Sequence, residues 1–526
     1  MQLLLNQASE VTSAVAESTK LDVPAIEWGY MTPLLVFFVG ITVGLIAVSL
    51  IRKVVSSAVA AGYTIVVAAI SLISTFPLWG RVGNPAEGPI GAVGGMFGVD
   101  RFSLYVTGLI CIAVILISLL LAGYLQREAI AGPEIFLLMM MSAAGAIIMA
   151  GANDLIVMFI GLEVVSISAY VMAAIHNRRA SSQEAGFKYF VLGGFASAIL
   201  LYGIALVYGA TGSTSLLHIT EFLSERFIER DGLLLAGLGL LLVGFGFKVS
   251  AAPFHQWSPD VYQGAPSPVT GYMSSAVKVA SFAALLRIFV VGFGAYAEQW
   301  RPIVFTLAVM SLLVGSIMAV VQTNVKRMLA YSSINHAGFI LLGVEAATAK
   351  GTSASLYYLA AYTVMTIGSF GVVTLLGRQG DGLHKISDYK GLGHSRPGIA
   401  LLFTVFLLAQ AGTPFTAGFI AKVGVISAAT DAGHWAIAGV AMLSSAISVF
   451  LYLRIVATMF FVGGGDHGEE PLELAGPPVV VPRGAAVSLG LAVIATVLMG
   501  VLPGLVSGLA DDAEPVLVHA APPSAD

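Results

Sequence analysis

Residues 244–262 read GFGFKVSAAPFHQWSPDVY. Lys248, Pro253, His255 and Pro259 interrupt an otherwise apolar run. A proline inside a helical pattern removes a backbone donor and clashes with the preceding turn, so it breaks or kinks the helix. The stretch therefore predicts a helix break with an ammonium group beside it. Such a break is tolerable in two very different settings, the surface of a soluble protein or the interior of a membrane protein, and the rest of the chain decides between them.

Of the 526 residues, 57% are hydrophobic and only 10% charged, and the mean hydropathy is +0.91. Soluble domains carry roughly a quarter charged residues. Apolar runs long enough to cross a bilayer, about 18 residues or more, recur from residue 31 to residue 506. The chain reads as an all-α polytopic membrane protein with about 14 transmembrane helices. The spans fall near 31–51, 57–79, 102–124, 134–152, 154–176, 187–211, 233–257, 268–292, 302–321, 328–346, 353–377, 400–431, 434–461 and 484–506. The fourth and fifth are joined so tightly, at GAND, that only a short turn fits.

Other function classes fall away. A net charge of −4 leaves no basic patch for nucleic acid. One cysteine, Cys111, inside an apolar run, cannot build an iron–sulfur or zinc site. No strand is followed by G-x-G-x-x-G, and there is no Walker sequence, so neither a dinucleotide nor ATP has a visible site. The N-terminus MQLLLNQASEVTSAVAESTK lacks a basic n-region, and no cleaved signal peptide is expected.

Of the 25 lysines and arginines, twelve lie in loops after odd-numbered spans, among them Arg52, Lys53, Arg178, Arg179, Lys326, Lys385 and Lys390. Seven lie on the other side, including Lys20, Arg226 and Arg230, where they mix with acids. The positive-inside rule then places both termini outside the cytoplasm.

The remaining six basic residues fall inside spans: Lys188, Lys248, Lys278, Arg287, Lys422 and Arg454. A lysine near mid-membrane costs about 2.5–3.5 kcal/mol on insertion scales, so each must snorkel, find a partner or be used. Arg287 is near the outer end of its span and is expected to snorkel; Arg454 is expected to have a structural partner. Lys188 sits near an inner edge, where snorkelling and function both fit. Lys248, Lys278 and Lys422 are deep and are the candidates for function. The clear carboxylate inside a span is Glu163, in LIVMFIGLEVVSISAYVMAA, with Lys248 as its expected partner. Burial penalises the ammonium and a nearby carboxylate favours it. At about 7 Å and an effective dielectric near 20, that attraction is roughly 2.4 kcal/mol. Moving or neutralising Glu163 would thus let Lys248 release a proton. His336, with Ser332 and Ser333 one turn away, reads either as a relay or as a satisfied buried histidine, and His255 as a candidate for proton uptake. Aromatic residues elsewhere read as packing or interface belts.

The seventh and twelfth spans are both long, Pro-interrupted and lysine-bearing, the twelfth being LLFTVFLLAQAGTPFTAGFIAKVGVISAAT with Pro414 and Lys422. Paired broken segments in two halves point to an ion path.

The stretches GLEVVSISAYVMAA, EAGFKYFVLGGFASAILLYGIALVYGATG, FKVSAAPFHQWSPDVYQGAPSPVTGYMSSAVKVA, VKRMLAYSSINHAGF and GTPFTAGFIAKVGV resemble subunit N of bacterial NADH-quinone oxidoreductase, respiratory complex I, over roughly residues 31–506. The resemblance implies an antiporter-like fold with two inverted five-helix repeats. The chain would divide into an N-terminal extracytoplasmic tail (1–30), three helices (31–131), a first repeat (132–292), a second repeat (293–461), and a cytoplasmic loop, last helix and short tail (462–526). It also implies that Glu163, Lys248, Lys278 and Lys422 carry proton translocation. The sister subunit M is similar but has a glutamate where Lys422 stands, and subunit L carries a long lateral helix that the roughly 20 residues after the last span here do not match.

On that resemblance the expected function is proton translocation in the bacterial cell membrane, coupled to electron transfer in partner subunits. NADH, FMN, iron–sulfur clusters and quinone would belong to those membrane and peripheral partners, with no cofactor on this chain. The alternative is a subunit of an Mrp-type cation/proton antiporter. A passive structural anchor would have to carry three deep lysines and a carboxylate for no purpose.

The orientation is directly testable. Single cysteines at Ser181 and Ser224 should label from opposite sides of sealed vesicles, Ser181 from the cytoplasmic side; equal labelling of both from one side overturns the topology.

Overall fold

The computed structural model describes residues 26–50, 55–130, 132–225, 231–461 and 481–519. Residues 1–25 of the N-terminal tail, Arg52, Lys53, Arg226, Arg230 and the loop 462–480 lie outside the described residues.

Among the described residues, fourteen helical crossings run in the expected order. The first six are α1 (Thr32–Leu50), α2 (Ser57–Val82), α3 (Arg101–Glu128), α4 (Glu134–Gly151), α5 (Leu155–Ala173) and α6 (Ala180–Thr211). The seventh is broken into α7 (Gly232–Lys248) and α8 (Trp257–Gly264), and the eighth is α9 (Ser267–Gly292). Next come α10 (Ala297–Val320), α11 (Val325–Glu345) and α12 (Ala349–Leu376). The twelfth crossing is broken into α13 (Pro397–Ala411) and α14 (Ala417–Asp431), and α15 (Trp435–Phe460) and α16 (Arg483–Val501) complete the set. The crossings α4 to α9 and α10 to α15 repeat one order: two tightly paired helices, a third, a broken helix and a closing helix. Because each set crosses five times, an odd number, the second starts from the opposite side and is inverted relative to the first. The packing repeats as well. Helix α4 lies along α5 as α10 lies along α11, and α7 lies along α6 as α14 lies along α12.

Local chemistry explains the ends. The GAND turn between α4 and α5 works because Asp154 caps α5, accepting from the amides of Ile156 (2.7 Å) and Val157 (3.2 Å). A side chain that satisfies these otherwise orphaned amides lets the helix start at once. Glycine allows the α4–α5 crossing: a Cβ on Gly145 would sit 2.7 Å from the carbonyl oxygen of Gly161. Helix α11 is too polar to qualify as a membrane span by hydropathy, yet all but one of its 21 residues are buried. It crosses inside the protein, wrapped by α10, α12, α14 and α15.

Extending the fold outside the bilayer, a hairpin pairs Ile90–Ala92 with Phe97–Val99 in antiparallel register, Gly91 opposite Gly98. Beside it, Arg287 corrects the expectation of snorkelling. It is fully buried: its Nη2 donates to both carboxylate oxygens of Asp100, at 2.7 and 2.9 Å, its Nε to the Ala150 carbonyl and its Nη1 to the Val516 carbonyl. Asp100 also caps α3 through the amide of Ser103 at 2.8 Å. Near its helix end Arg287 had a protein partner within reach, which holds the guanidinium more tightly than interfacial water does. Arg454 finds the expected structural partners, the carbonyls of Val320 (2.8 Å) and Gln322 (3.2 Å).

Removing one member of a buried pair strands the other charge, at a cost of about 3–5 kcal/mol. Arg287→Ala should therefore lower the thermal unfolding midpoint of the purified protein far more than Arg454→Ala, whose loss leaves carbonyls and no opposite charge behind. Equal melting of the two variants contradicts this account of Arg287.

Candidate functional site

The first break begins at Lys248, the last residue of α7. Several of its freed backbone groups find partners: the Gly246 carbonyl accepts from Ala251 N at 2.7 Å, the Phe247 carbonyl from the Trp257 indole at 2.9 Å, and Ala252 N donates to Ser311 Oγ on α10 at 2.8 Å. The Lys248 ammonium is buried and donates to Ser166 Oγ (2.6 Å) and Tyr170 OH (3.3 Å), both on α5. Glu163 is on the same helix, three residues before Ser166. The pairing is the expected one, through space and without a direct hydrogen bond. Glu163 lies within electrostatic reach of Lys248, but among the described residues its Oε1 is buried and accepts no hydrogen bond. The direct contacts of the ammonium are the two neutral hydroxyls farther along α5.

Lys278 directly follows a π-helical turn, Met273–Val277, in α9. Such bulges recur at functional sites because the extra residue re-aims the side chains around them. The buried Lys278 Nζ donates to both the carbonyl (2.8 Å) and the hydroxyl (2.5 Å) of Ser333 on α11. From the neighbouring Ser332 a side-chain chain continues. Ser332 Oγ bonds Tyr452 OH, which lies 3.2 Å from His336 Nε2, and His336 Nδ1 lies 2.7 Å from Tyr358 OH. Ser332 Oγ also donates to Gln410 Oε1 at 3.3 Å. The next residue, Ala411, ends α13, and its carbonyl accepts from Lys422 Nζ at 2.7 Å. Lys422 donates further to Ser445 Oγ at 3.1 Å. Lys278, His336 and Lys422 thus share one buried polar axis whose joints are the dipeptides Ser332–Ser333 and Gln410–Ala411.

Lys422 caps the second break, where Gly412 adopts φ +91°. A Cβ at Gly412 would press to 3.0 Å from Lys422 Cδ, so glycine supplies both the left-handed turn and the room for the lysine.

Two candidates stand apart from the axis. Lys188 bonds Glu184 (2.7 Å) and Asp260 (2.9 Å), and Arg327 bonds the other oxygen of Asp260 at 2.5 Å. These residues line an open polar cavity of about 220 Å³. His255 is half-buried in the first break, its ring 6.4 Å from Tyr331, with Nδ1 unpartnered among the described residues.

Tyr170, Tyr358 and Tyr452 were not legible as site residues. Aromatic residues in a membrane span read as packing, and nothing in the linear spacing distinguishes a tyrosine whose hydroxyl meets a buried histidine. The same holds for Asp381, in the connection after α12, which looks like a loop charge. It is fully buried among Arg179 (3.0 Å), His384 (3.0 Å) and Lys326 (3.5 Å). Lys326, counted as a loop charge, is the second residue of α11 and is itself buried.

With this geometry in hand, the relatives can be set beside it. Residues 152–448 match the family described as NADH:quinone oxidoreductase/Mrp antiporter, TM. The chain is 41% identical over 415 residues to NADH-quinone oxidoreductase subunit N of Trichlorobacter lovleyi, covering 79% of this chain and 84% of that one. It is 37% identical to the subunit N of Thermobifida fusca, covering 95% and 92%. Among solved structures, a chain of respiratory complex I from Thermus thermophilus with bound aureothin superposes with TM-score 0.74 at 32% identity, covering 91% of this chain and 99% of that chain. A chain of the Mrp complex from Dietzia sp. superposes with TM-score 0.79, covering 93% and 97%; at 21% identity this likeness concerns the fold alone. The chain belongs to the subunit N family of NADH-quinone oxidoreductase, within the wider NADH:quinone oxidoreductase/Mrp antiporter membrane family.

Proposed function

We propose that this chain is the proton-translocating membrane subunit N of NADH-quinone oxidoreductase, coupling electron transfer from NADH to quinone in partner subunits to proton movement across the membrane. The observation that carries the reading is the buried axis from Lys278 through His336 to Lys422, in which each lysine is bonded to neutral oxygens rather than to a carboxylate. A lysine locked in an ion pair keeps its proton; one held by hydroxyls and carbonyls can pass it on and be recharged. The residues sort into roles. Lys248, Lys278 and Lys422 carry protons, His336 and its two tyrosines bridge the last two lysines, and Glu163 is the switch whose charge favours a proton on Lys248. Lys188 and His255, nearer the cytoplasmic face, serve uptake, Lys188 through the polar cavity it shares with Asp260 and Arg327. The carriers divide between the repeats 132–292 and 293–461, after an N-terminal tail at 1–30 and three helices at 31–131, and before the segment 462–526. Both termini face away from the cytoplasm of a bacterial cell. NADH, FMN, iron–sulfur clusters and quinone belong to the other subunits.

Work within an assembly is also supported by the surface. Thr413, Pro414 and Phe415, in the second break, are exposed, and irregular backbone is not left facing lipid. Glu163 sits in an outward stripe with Ile160 and Ile167. Neighbouring subunits cover both. The purified chain reconstituted alone should therefore fail to pump protons with NADH and quinone; pumping by the single chain refutes this division of labour.

The relay role of Lys248 separates from a structural one by charge chemistry. An arginine keeps the positive charge, bonds hydroxyls well and holds its proton under any physiological condition. Lys248→Arg should assemble normally yet lose most quinone-dependent proton pumping in vesicles, nearly as much as Lys248→Met. Glu163→Asp should retain more coupling than Glu163→Gln, because the switch needs charge more than length. Full pumping by Lys248→Arg makes Lys248 a structural partner instead.

A further inference from the structure

The two helices that meet at Lys278 both begin on one carboxylate. Asp381 Oδ1 accepts from Ser267 Oγ at 2.8 Å and its Oδ2 from Ser267 N at 3.2 Å, so it holds the first residue of α9. The Lys326 ammonium, at the start of α11, lies 3.5 Å from Oδ2 and donates to the Ala265 carbonyl at 2.6 Å, just before α9. Lys278 lies eleven residues along the one helix and Ser333 seven residues beyond Lys326 on the other. With a rise of 1.5 Å per residue these are about 16 Å and about 10 Å from the anchor. Their meeting point is the pair of hydrogen bonds from Lys278 Nζ to Ser333.

The anchor is itself fixed. Arg179, from the connection between α5 and α6, donates to Asp381 Oδ2 at 3.0 Å. The Gly380 amide donates to Glu128 Oε2 at 2.7 Å, and Val325 N donates to the His384 carbonyl at 2.7 Å. Burial alone would raise the Asp381 carboxyl, but Lys326, His384 and Arg179 hold it well below the usual carboxylate range, so it stays ionised at neutral pH. Burying such a cluster costs several kcal/mol of hydration per ion, which a merely stabilising contact seldom repays. None of these groups belongs to the axis of proton carriers.

We propose that Asp381 is a positioning residue for proton transfer at Lys278: by holding the starting ends of α9 and α11 together, it sets the register in which Lys278 meets Ser333. The proposal rests on Lys278 being a proton carrier. Hydrogen bonds of 2.5–2.8 Å do not survive a slip of one ångström between the helices, and misplacements of that size cost up to about a hundredfold in rate.

The test uses the intact oxidoreductase in membrane vesicles, with NADH oxidation by an artificial acceptor reporting the amount assembled. Asp381→Asn should lower the rate of quinone-dependent proton translocation about tenfold per assembled complex. Ser333→Ala should lower it about threefold, and the double variant should be no slower than the slower single one, because both act through one contact. Ser267→Ala, which removes a single hydrogen bond and leaves the charges paired, should lose about threefold and serves if Asp381→Asn does not assemble. A wild-type rate in Asp381→Asn or Ser267→Ala overturns the proposal, as does a double variant whose losses multiply. Lys278→Arg separates the two levels. If it is inactive, the Asp381 series tests positioning alone; if it translocates protons at full rate, the carrier reading of Lys278 fails and the step to be positioned disappears.

Discussion

A bilayer offers a backbone no water to bond, and the whole architecture answers to that constraint. A continuous helix satisfies its own amides and carbonyls, but this chain breaks two crossings and must find partners for what it frees. At the first break the partners are local amides, an indole and Ser311 of the neighbouring helix α10. At the second, one freed and buried carbonyl, that of Ala411, is taken by Lys422 itself. The lysine and the break thus solve each other's problem: the carbonyl needs a donor, the ammonium needs acceptors, and neither survives alone in hydrocarbon. At the first break Lys248 turns instead to the hydroxyls of Ser166 and Tyr170 on α5, so the two halves satisfy their lysines differently.

The charges sort by depth into two kinds. Toward the ends of the crossings they are locked into multiply bonded clusters, Arg287 on Asp100 at one side and Arg179, Lys326 and His384 around Asp381 at the other. In the middle, the hydrogen-bond partners of Lys248, Lys278 and Lys422 among the described residues are hydroxyls and carbonyls. A buried pair is rigid because breaking it leaves a stranded charge, so it suits an anchor. A neutral oxygen cage is indifferent enough to the proton to let it leave, so it suits a carrier. Rigid ends and a permissive centre are what a proton path through a packed protein requires.

Much of this was written in the linear sequence. Long apolar runs marked the crossings, because about twenty apolar residues in a row have one stable conformation in a membrane, although α11 is too polar to stand out by hydropathy alone. Prolines marked both breaks, GAND marked the tight turn that Asp154 caps, and the cost of mid-membrane charge singled out Glu163, Lys248, Lys278 and Lys422 before any geometry was known. Those inferences depend on local conformation and solvation, which neighbouring residues determine.

What only the tertiary structure decided was who touches whom. Glu163 acts on Lys248 through space as its charge foretold, but Ser166 and Tyr170 as the ammonium's direct partners were not legible, since the place where α7 ends against α5 is fixed by packing between helices about eighty residues apart. Arg287 looked like a snorkelling residue until the fold brought Asp100 to it from 187 positions away. Tyr358 and Tyr452 passed for packing and Lys326 for a loop charge, because a tyrosine in a span or a lysine at its edge has the same local signature whether or not it is wired into a network. Hydrogen-bond partnership across helices is a property of register and crossing geometry, and no window of sequence contains it.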